Sequence, residues 1–193
     1  MSDDPFPDVP ADRLSTGGWT RMERTSETLL SIPALRVEGH TLLYEQPDLR
    51  EAVRTVFERV DLPWRFFFAA GLSFTPAPTG FGRSSLFPVV FTAARREFAS
   101  DLRERGFEAV ERGRTRRLHT DDGGRARLTG YDARFEADTI DADVAAWLTV
   151  WDHEGRFRLA GGVYPTGGLD SAGVALDPER YREELFALIR GVR

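Results

Sequence analysis

The sequence predicts an α+β domain, a mainly antiparallel sheet covered by helices on both faces in an α-β-α sandwich. Three observations lead there. First, residues 63–76 form the longest apolar run, framed by Pro63 and Pro76. Apolar residues fill both of its alternating sets: Trp64, Phe66, Phe68, Ala70, Leu72 and Phe74 on one side, Phe67, Ala69 and Gly71 on the other. A strand with one wet face alternates, so this strand needs cover on both faces and is expected at the centre of the sheet. Second, three segments carry a single apolar stripe at helical spacing. Third, four strand-like segments follow residue 106, joined in pairs by Gly-containing turns.

The elements follow in order. Residues 1–18 are rich in Asp, Pro, Ser and Gly and read as a flexible tail, with one α+β domain over 19–193. Trp19 to Ile32 reads as a weak strand pair. Leu35 to Glu45 reads as two short strands around Glu38-Gly39, or one strand bulged at Gly39. Asp48 to Val60 is the cleanest helix. Asp48 is placed to cap it and Glu51 sits at N3, with Leu49, Val53, Val56, Phe57 and Val60 as its stripe.

Ala77 to Ser85 reads as a Pro/Gly/Ser loop. A helix is expected from Phe87 to Arg105, with Pro88 in its first turn and Gly106 just past its end, followed by the apolar Phe107. The strands Phe107–His119 and Arg125–Phe135 flank Asp121-Asp122-Gly123-Gly124, where Asp122-Gly123 suits a type I′ turn. Ala137 to Asp143 reads as an acidic loop. Val144–Asp152 and Arg156–Tyr164 form a second hairpin, then a Gly-rich connection runs from Thr166 to Leu176. The last helix starts at Asp177 as N-cap with Pro178 at N1, and its stripe is Tyr181, Leu185, Leu188, Ile189 and Val192.

Composition excludes several chemistries. All 26 basic residues are arginine, and the chain has no lysine, cysteine or asparagine. Without lysine there is no Schiff base and no P-loop lysine. Without cysteine there is no thiol nucleophile, disulfide, iron–sulfur cluster or thiolate zinc site. The net charge is −5 and the complete loss of lysine accompanies it, a pattern expected of an extreme halophile. The acidic start lacks an apolar core for a signal peptide, no stretch is long enough to span a bilayer, and the expected location is cytoplasmic.

The helix ending in Arg105-Gly106-Phe107 is followed by a strand, then Gly124-Arg125-Ala126-Arg127-Leu128. Gly155-Arg156-Phe157-Arg158-Leu159 and a C-terminal helix complete the order. This order resembles the PsbP-like group, named after the oxygen-evolving photosystem subunit and including a nuclear Ran-binding protein and bacterial lipoproteins. The similar part spans residues 35–190. The resemblance implies a non-catalytic binding domain and carries no functional residue over. The texture also resembles proteins of halophilic archaea.

Candidate sites are few. His40, His119 and His153 fall on three different turns or strand ends, and Asp152-His153-Glu154 reads as turn chemistry before Gly155 rather than as ion ligands. No catalytic or metal-ligating set emerges, and no cofactor is expected. Ser84 and Ser85 follow a Gly-containing loop, but their spacing fits neither a dinucleotide fingerprint nor a nucleophile elbow. The first hairpin is strongly basic through Arg112, Arg114, Arg116, Arg117, Arg125 and Arg127, and strand period puts Arg112, Arg114 and Arg116 on one face. Its acidic neighbours and its lone aromatic, Tyr131, argue against a nucleic-acid surface.

In the second hairpin a three-residue loop with a left-handed Gly155 puts Asp152 opposite Arg156, Trp151 opposite Phe157 and Trp147 opposite Gly161. Trp147, Trp151, Phe157 and Leu159 then share a face. Space beside Gly161 and Gly162 could open there as a pocket walled by Trp147 and Trp151. The expected function is therefore non-catalytic binding of a protein or small-molecule partner, with no membrane or nucleic acid involved. The alternatives are a small hydrolase using carboxylates, a histidine and Ser84 or Ser85, and nucleic-acid binding on the arginine hairpin.

Overall fold

A computed structural model describes residues 4–77, 80–137 and 140–193, the side chains of residues 80, 81 and 83 excepted. The elements are α1 (Ala11–Thr16), β1 (Thr20–Ile32), β2 (Leu35–Glu45), α2 (Asp48–Val56), β3 (Phe66–Thr75) and α3 (Gly80–Glu104). They continue with β4 (Glu108–His119), β5 (Arg125–Ala137), β6 (Ile140–His153), β7 (Arg156–Gly167), a 3₁₀ turn at Asp170–Ala172, and α4 (Pro178–Arg190). Seven strands form one antiparallel sheet in the order β1-β2-β3-β7-β6-β5-β4. The fold is α+β.

The apolar run does become an interior strand. β3 lies between β2 and β7, and its successive residues divide between two apolar clusters. Phe66 belongs to the first, with Leu49 and Val53 of α2 and Val90, Phe91, Phe98 and Leu102 of α3. Phe67 and Ala69 belong to the second, with Leu14 of α1 and Leu185, Leu188 and Ile189 of α4. Alternate strand residues point to opposite faces, so the two clusters lie on opposite sides of β3.

Two helix ends form as their local sequence predicts. The Asp177 carboxylate accepts the Arg180 N–H at the start of α4, with Pro178 in the first turn. Gly106 has φ +91°, and the Phe107 N–H reaches back to the Leu102 carbonyl, which ends α3 as a glycine C′ should.

Other boundaries differ. α2 stops at Val56, four residues short of expectation, and its N-cap is Pro47, without a side-chain cap. Val56 is exposed, while Val60 is buried from the loop beyond. α3 starts at Gly80, so Ser84 and Ser85 lie within a helix rather than in the expected loop, of which residues 78 and 79 fall outside the described set. The expected acidic loop is largely strand: Ala137 pairs with Ile140, with residues 138 and 139 between them not described. Of the turn pair Asp122-Gly123 only Gly123 has positive φ, so the turn is not type I′. Thr120 and Gly124 bracket a three-residue loop instead, closed by the Thr120 N–H on the Gly124 carbonyl.

Residues 4–18, expected as part of a flexible tail, carry α1 and bury Leu14. Asp8 and Arg193 exchange both backbone hydrogen bonds at 2.9 Å.

The second hairpin corrects the expected register by one residue. His153 pairs with Arg156 around a two-residue turn in which Glu154 (φ +50°) and Gly155 (φ +82°) are both left-handed. The Asp152 carboxylate accepts the Gly155 N–H at 2.9 Å and steadies the turn. Trp151 therefore faces Arg158, and Trp147 faces Gly162. Trp147 and Trp151 do share a side, but Phe157 and Leu159 join the opposite cluster. The glycine under the Trp147 ring is Gly130 of β5, opposite it in register; Gly161 instead lies beneath Phe68.

β1 is an edge strand with all 13 residues exposed. Register shifts after Arg21 and Thr28 leave Met22 and Leu29 as its extra residues, so the irregularities fall in β1 and not at Gly39, which stays in the ladder opposite Glu27.

Candidate functional site

A groove opens where α3 leaves the outer strands of the sheet uncovered. Three cross-strand rows make its floor and outer wall. Glu23 pairs with Leu43 and that with Phe68; Thr25 with Thr41 and Ala70; Glu27 with Gly39 and Leu72. Directly opposed residues share a face, so β1 presents Glu23, Thr25 and Glu27 beside an apolar floor from β2 and β3. The extra residue Leu29 folds over Gly39, where a Cβ would sit 3.1 Å from its Cδ1. The far wall is α3, through Ala94, Phe98 and Leu102. The cavity holds about 410 Å³, within the range of small-molecule sites.

Its rim is acidic. Glu97 and Asp101 line it from α3, facing Glu23 and Glu27 of β1, with Arg105 at one end over the Phe66 ring. Asp101 is held above the usual carboxylate range, chiefly by burial and then by Glu97, with Glu104 and Glu27 adding to the repulsion and Arg105 opposing it. Glu23, Leu43, Phe66 and Arg105 also line a second cavity of about 210 Å³, which extends the groove toward Met22, Glu45 and Arg50. Glu45 is 3% exposed there. Its Oε2 accepts from Arg50 at 2.9 Å, while Oε1 is buried without a hydrogen-bond partner. The Asp61 and Glu45 carboxylates hold the Arg50 guanidinium above its ordinary range.

The residues singled out from sequence lie elsewhere. Trp151 is fully buried, and Trp147 packs edge-on against Phe186 and donates to the Tyr164 hydroxyl at 3.2 Å. Gly161 and Gly162 are closed over by Phe68 and by Leu185. None of these four lines the groove.

The basic patch is divided. A register shift between Arg112 and Thr115 sets Arg112 opposite Tyr131 but Arg116 opposite Leu128, so Arg112 and Arg116 fall on opposite faces and the expected common face is lost. Arg116 lies over the Trp147 ring at 4.8 Å, and Arg127 lies near Phe87 and Phe91 on the other side. Arg125 pairs with His119 at the hairpin end, and Arg114 is exposed in the irregular stretch.

The histidines do not converge. His40 is buried between the Ser26 and Ser73 hydroxyls, His153 pairs with Asp122 at 2.8 Å across two turns, and His119 ends β4. Among the described residues no group of three His, Asp or Glu is arranged to hold a metal, and no helix is long and apolar enough to cross a membrane.

Sequence reasoning missed the groove because its parts, β1, β2, β3 and α3, meet only through sheet pairing. Two signals were nonetheless present: the alternating Glu23, Thr25, Glu27, Leu29, and Glu97 and Asp101 one turn apart on α3.

No curated protein matches the chain. A family model matches residues 6–193, nearly its whole length. The chain belongs to the family described as Domain of unknown function (DUF6517).

Proposed function

We propose that this is a non-catalytic binding domain and that the groove between α3 and strands β1–β3 takes a ligand with an apolar body and a cationic, hydrogen-bond-donating head. The observation that carries the reading is the pairing of an apolar floor with a carboxylate rim at Glu23, Glu27, Glu97 and Asp101. An apolar body gains by leaving water over Phe66, Phe68, Leu72 and Phe98. A cation at the rim relieves the repulsion that Asp101 feels, and the unpartnered Oε1 of Glu45 is an acceptor awaiting a donor. The lysine-free acidic composition supports a place in the cytoplasm of an extreme halophile. The two apolar clusters, one with α2 and α3 and the other with α1 and α4, support the helix–sheet–helix layering of the PsbP-like group.

The test is calorimetric titration with decylammonium and, separately, decanoate, both below their micelle concentrations. The ammonium should bind at least tenfold tighter. Glu97→Gln should reduce that preference, and Ala94→Trp, which fills the groove, should abolish binding in a protein whose circular dichroism is unchanged. Equal affinity for the two probes, or binding that survives Ala94→Trp, overturns the reading.

A further inference from the structure

The opposite flank of α3 carries a second site of the opposite sign. Thr92, Arg95, Arg96, Ala99 and Arg103 recur at helical spacing and face the edge strand β4, where Val110, Arg112 and, from β5, Tyr131 complete a cleft of about 280 Å³. Four guanidinium groups line it. Among the described residues none of the four has an ion pair with a carboxylate, although acids outnumber bases in the chain 31 to 26.

The reason lies in the strand register. Glu111 and Asp132, adjacent in sequence to Arg112 and Tyr131, stand opposite each other in the next row. Successive strand residues alternate faces, so these two acids point away from the cleft. The Arg112/Thr115 irregularity then separates Arg112 from the rest of the basic strand and leaves it facing α3.

The cleft is also shaped. Arg103 donates to the Ala99 carbonyl at 3.0 Å and to the Val110 carbonyl at 3.4 Å, tying α3 to β4. Arg95 stacks over Phe91 at 4.3 Å, and its Nε is buried without a hydrogen-bond partner. Tyr131 is recessed, 3% exposed, and donates to the Arg95 carbonyl at 3.2 Å. Arg95 and Arg112 line the cleft beside Tyr131; burial pushes its phenol up, and the two cations oppose that.

We infer that this cleft binds a small multivalent oxyanion, of phosphate or polycarboxylate chemistry, between the arginines of α3 and Arg112 of β4. Guanidinium forks match such oxyanions in pairs, and an anion with two or more charges relieves the mutual repulsion of the four. The volume lies just below the usual range of ligand pockets, about 300–1,000 Å³, which suits one or two phosphate groups rather than a nucleotide with its base. A single strand of nucleic acid is not favoured, because the ring that lines the cleft, Tyr131, is buried and offers no stacking face.

The experiment titrates pyrophosphate and citrate into the full chain at matched ionic strength, with potassium chloride as the control salt and calorimetry and thermal melting as readouts. One-to-one binding of at least one oxyanion is expected, with pyrophosphate or citrate preference naming the source. Arg96→Gln and Arg112→Gln each weaken it at least tenfold, while Arg59→Gln, an exposed arginine outside the cleft, leaves it unchanged. The free variants should melt no lower than the parent, since each removes a like charge, yet lose the ligand-induced rise. The inference is overturned if neither oxyanion binds beyond the chloride control, or if binding survives both substitutions. It is equally overturned if a single-stranded oligonucleotide binds tighter than either oxyanion and is lost in the same variants. The decylammonium result bears on neither outcome, because the two sites share no lining residue.

Discussion

Replacing Gly130 by alanine tests the sheet register at one atom. A Cβ there would lie 2.9, 3.1 and 3.3 Å from Cζ3, Cη2 and Cε3 of Trp147, so the indole rests directly on the β5 backbone. Carbon contacts prefer about 3.5–4.0 Å, so the ring must withdraw by roughly half an ångström. It cannot do so freely. Phe186 meets it edge-on at 5.0 Å, the Tyr164 hydroxyl holds its Nε1, and Arg116 covers it. Overpacking of this kind costs about 1–3 kcal/mol, and the loss of unfolded-state freedom at a glycine returns about 0.4–1 kcal/mol. Gly130 has no positive φ, so alanine adds no backbone strain. The net cost is about 1–2 kcal/mol, a fall of about 2–8 °C in melting temperature for a chain of this length.

The decisive assay is a double-mutant cycle by urea unfolding with Trp147→Phe. The smaller ring makes room for the methyl group, so Gly130→Ala should cost about 1 kcal/mol less when combined with Trp147→Phe than alone. Gly161→Ala should behave differently. Its Cβ runs into the Trp147 backbone carbonyl and the Phe68 ring, and a smaller side chain in place of the indole relieves neither. If Trp147→Phe rescues Gly161→Ala, the two-residue turn is wrong; if it leaves the cost of Gly130→Ala unchanged, the pairing of Gly130 with Trp147 across β5 and β6 is wrong.

The other predictions concern charge. Thermal melts from low to molar KCl should show rising stability, because salt screens the repulsion of an acidic chain; an unchanged midpoint would count against the halophile reading. Asp101→Asn should stabilise the protein at neutral pH. The folded-state pKa of Asp101 is raised, so its ionised form is the disfavoured one; the gain should appear as pH rises through the carboxylate range and vanish below it. Asp101 is exposed by area, so solvent screening keeps the gain below about 1 kcal/mol. A stabilisation that persists at pH 3 would point to a cause other than charge.

What was legible in the sequence was local. Asp177-Pro178 and Gly106-Phe107 announce helix ends, because capping acts within a few residues. The two hairpins were visible for the same reason. Their register was not, because the choice between a two- and a three-residue turn rested on which residue at His153-Glu154-Gly155 takes a left-handed conformation. Glu154 does so, with the Asp152 carboxylate steadying the turn, and that single step carries Phe157 and Leu159 to the other face. β1 was read as a weak pair because a strand wet on both faces has no hydrophobic period to find. The arginine cleft was hidden by the irregularity after Arg112, which strand period alone cannot show.

The segregation of like charges along α3 is the strongest reason to read both of its flanks as sites. Some arginines elsewhere are ion-paired: Arg134 with Asp141, Arg50 with Glu45 and Asp61, Arg13 with Asp121, and Arg65 and Arg180 with Glu184. On α3 like charges are grouped instead. Glu97 and Asp101 are like charges at i,i+4, an arrangement that weakens a helix by a few tenths of a kcal/mol, and Glu27 faces the same groove from β1. Arg95, Arg96 and Arg103 crowd the other flank beside Arg112. Exchanging charges between the flanks would relieve both repulsions without touching Phe91, Phe98 or Leu102, the residues that seat α3 in the core. Arg103 and Arg95 do make structural contacts, with the Val110 carbonyl and the Phe91 ring, but Glu97 and Asp101 gain nothing for folding by standing together. The segregation does supply two surfaces of opposite sign, one apolar-floored and acidic and one compact and basic, on either side of a single helix.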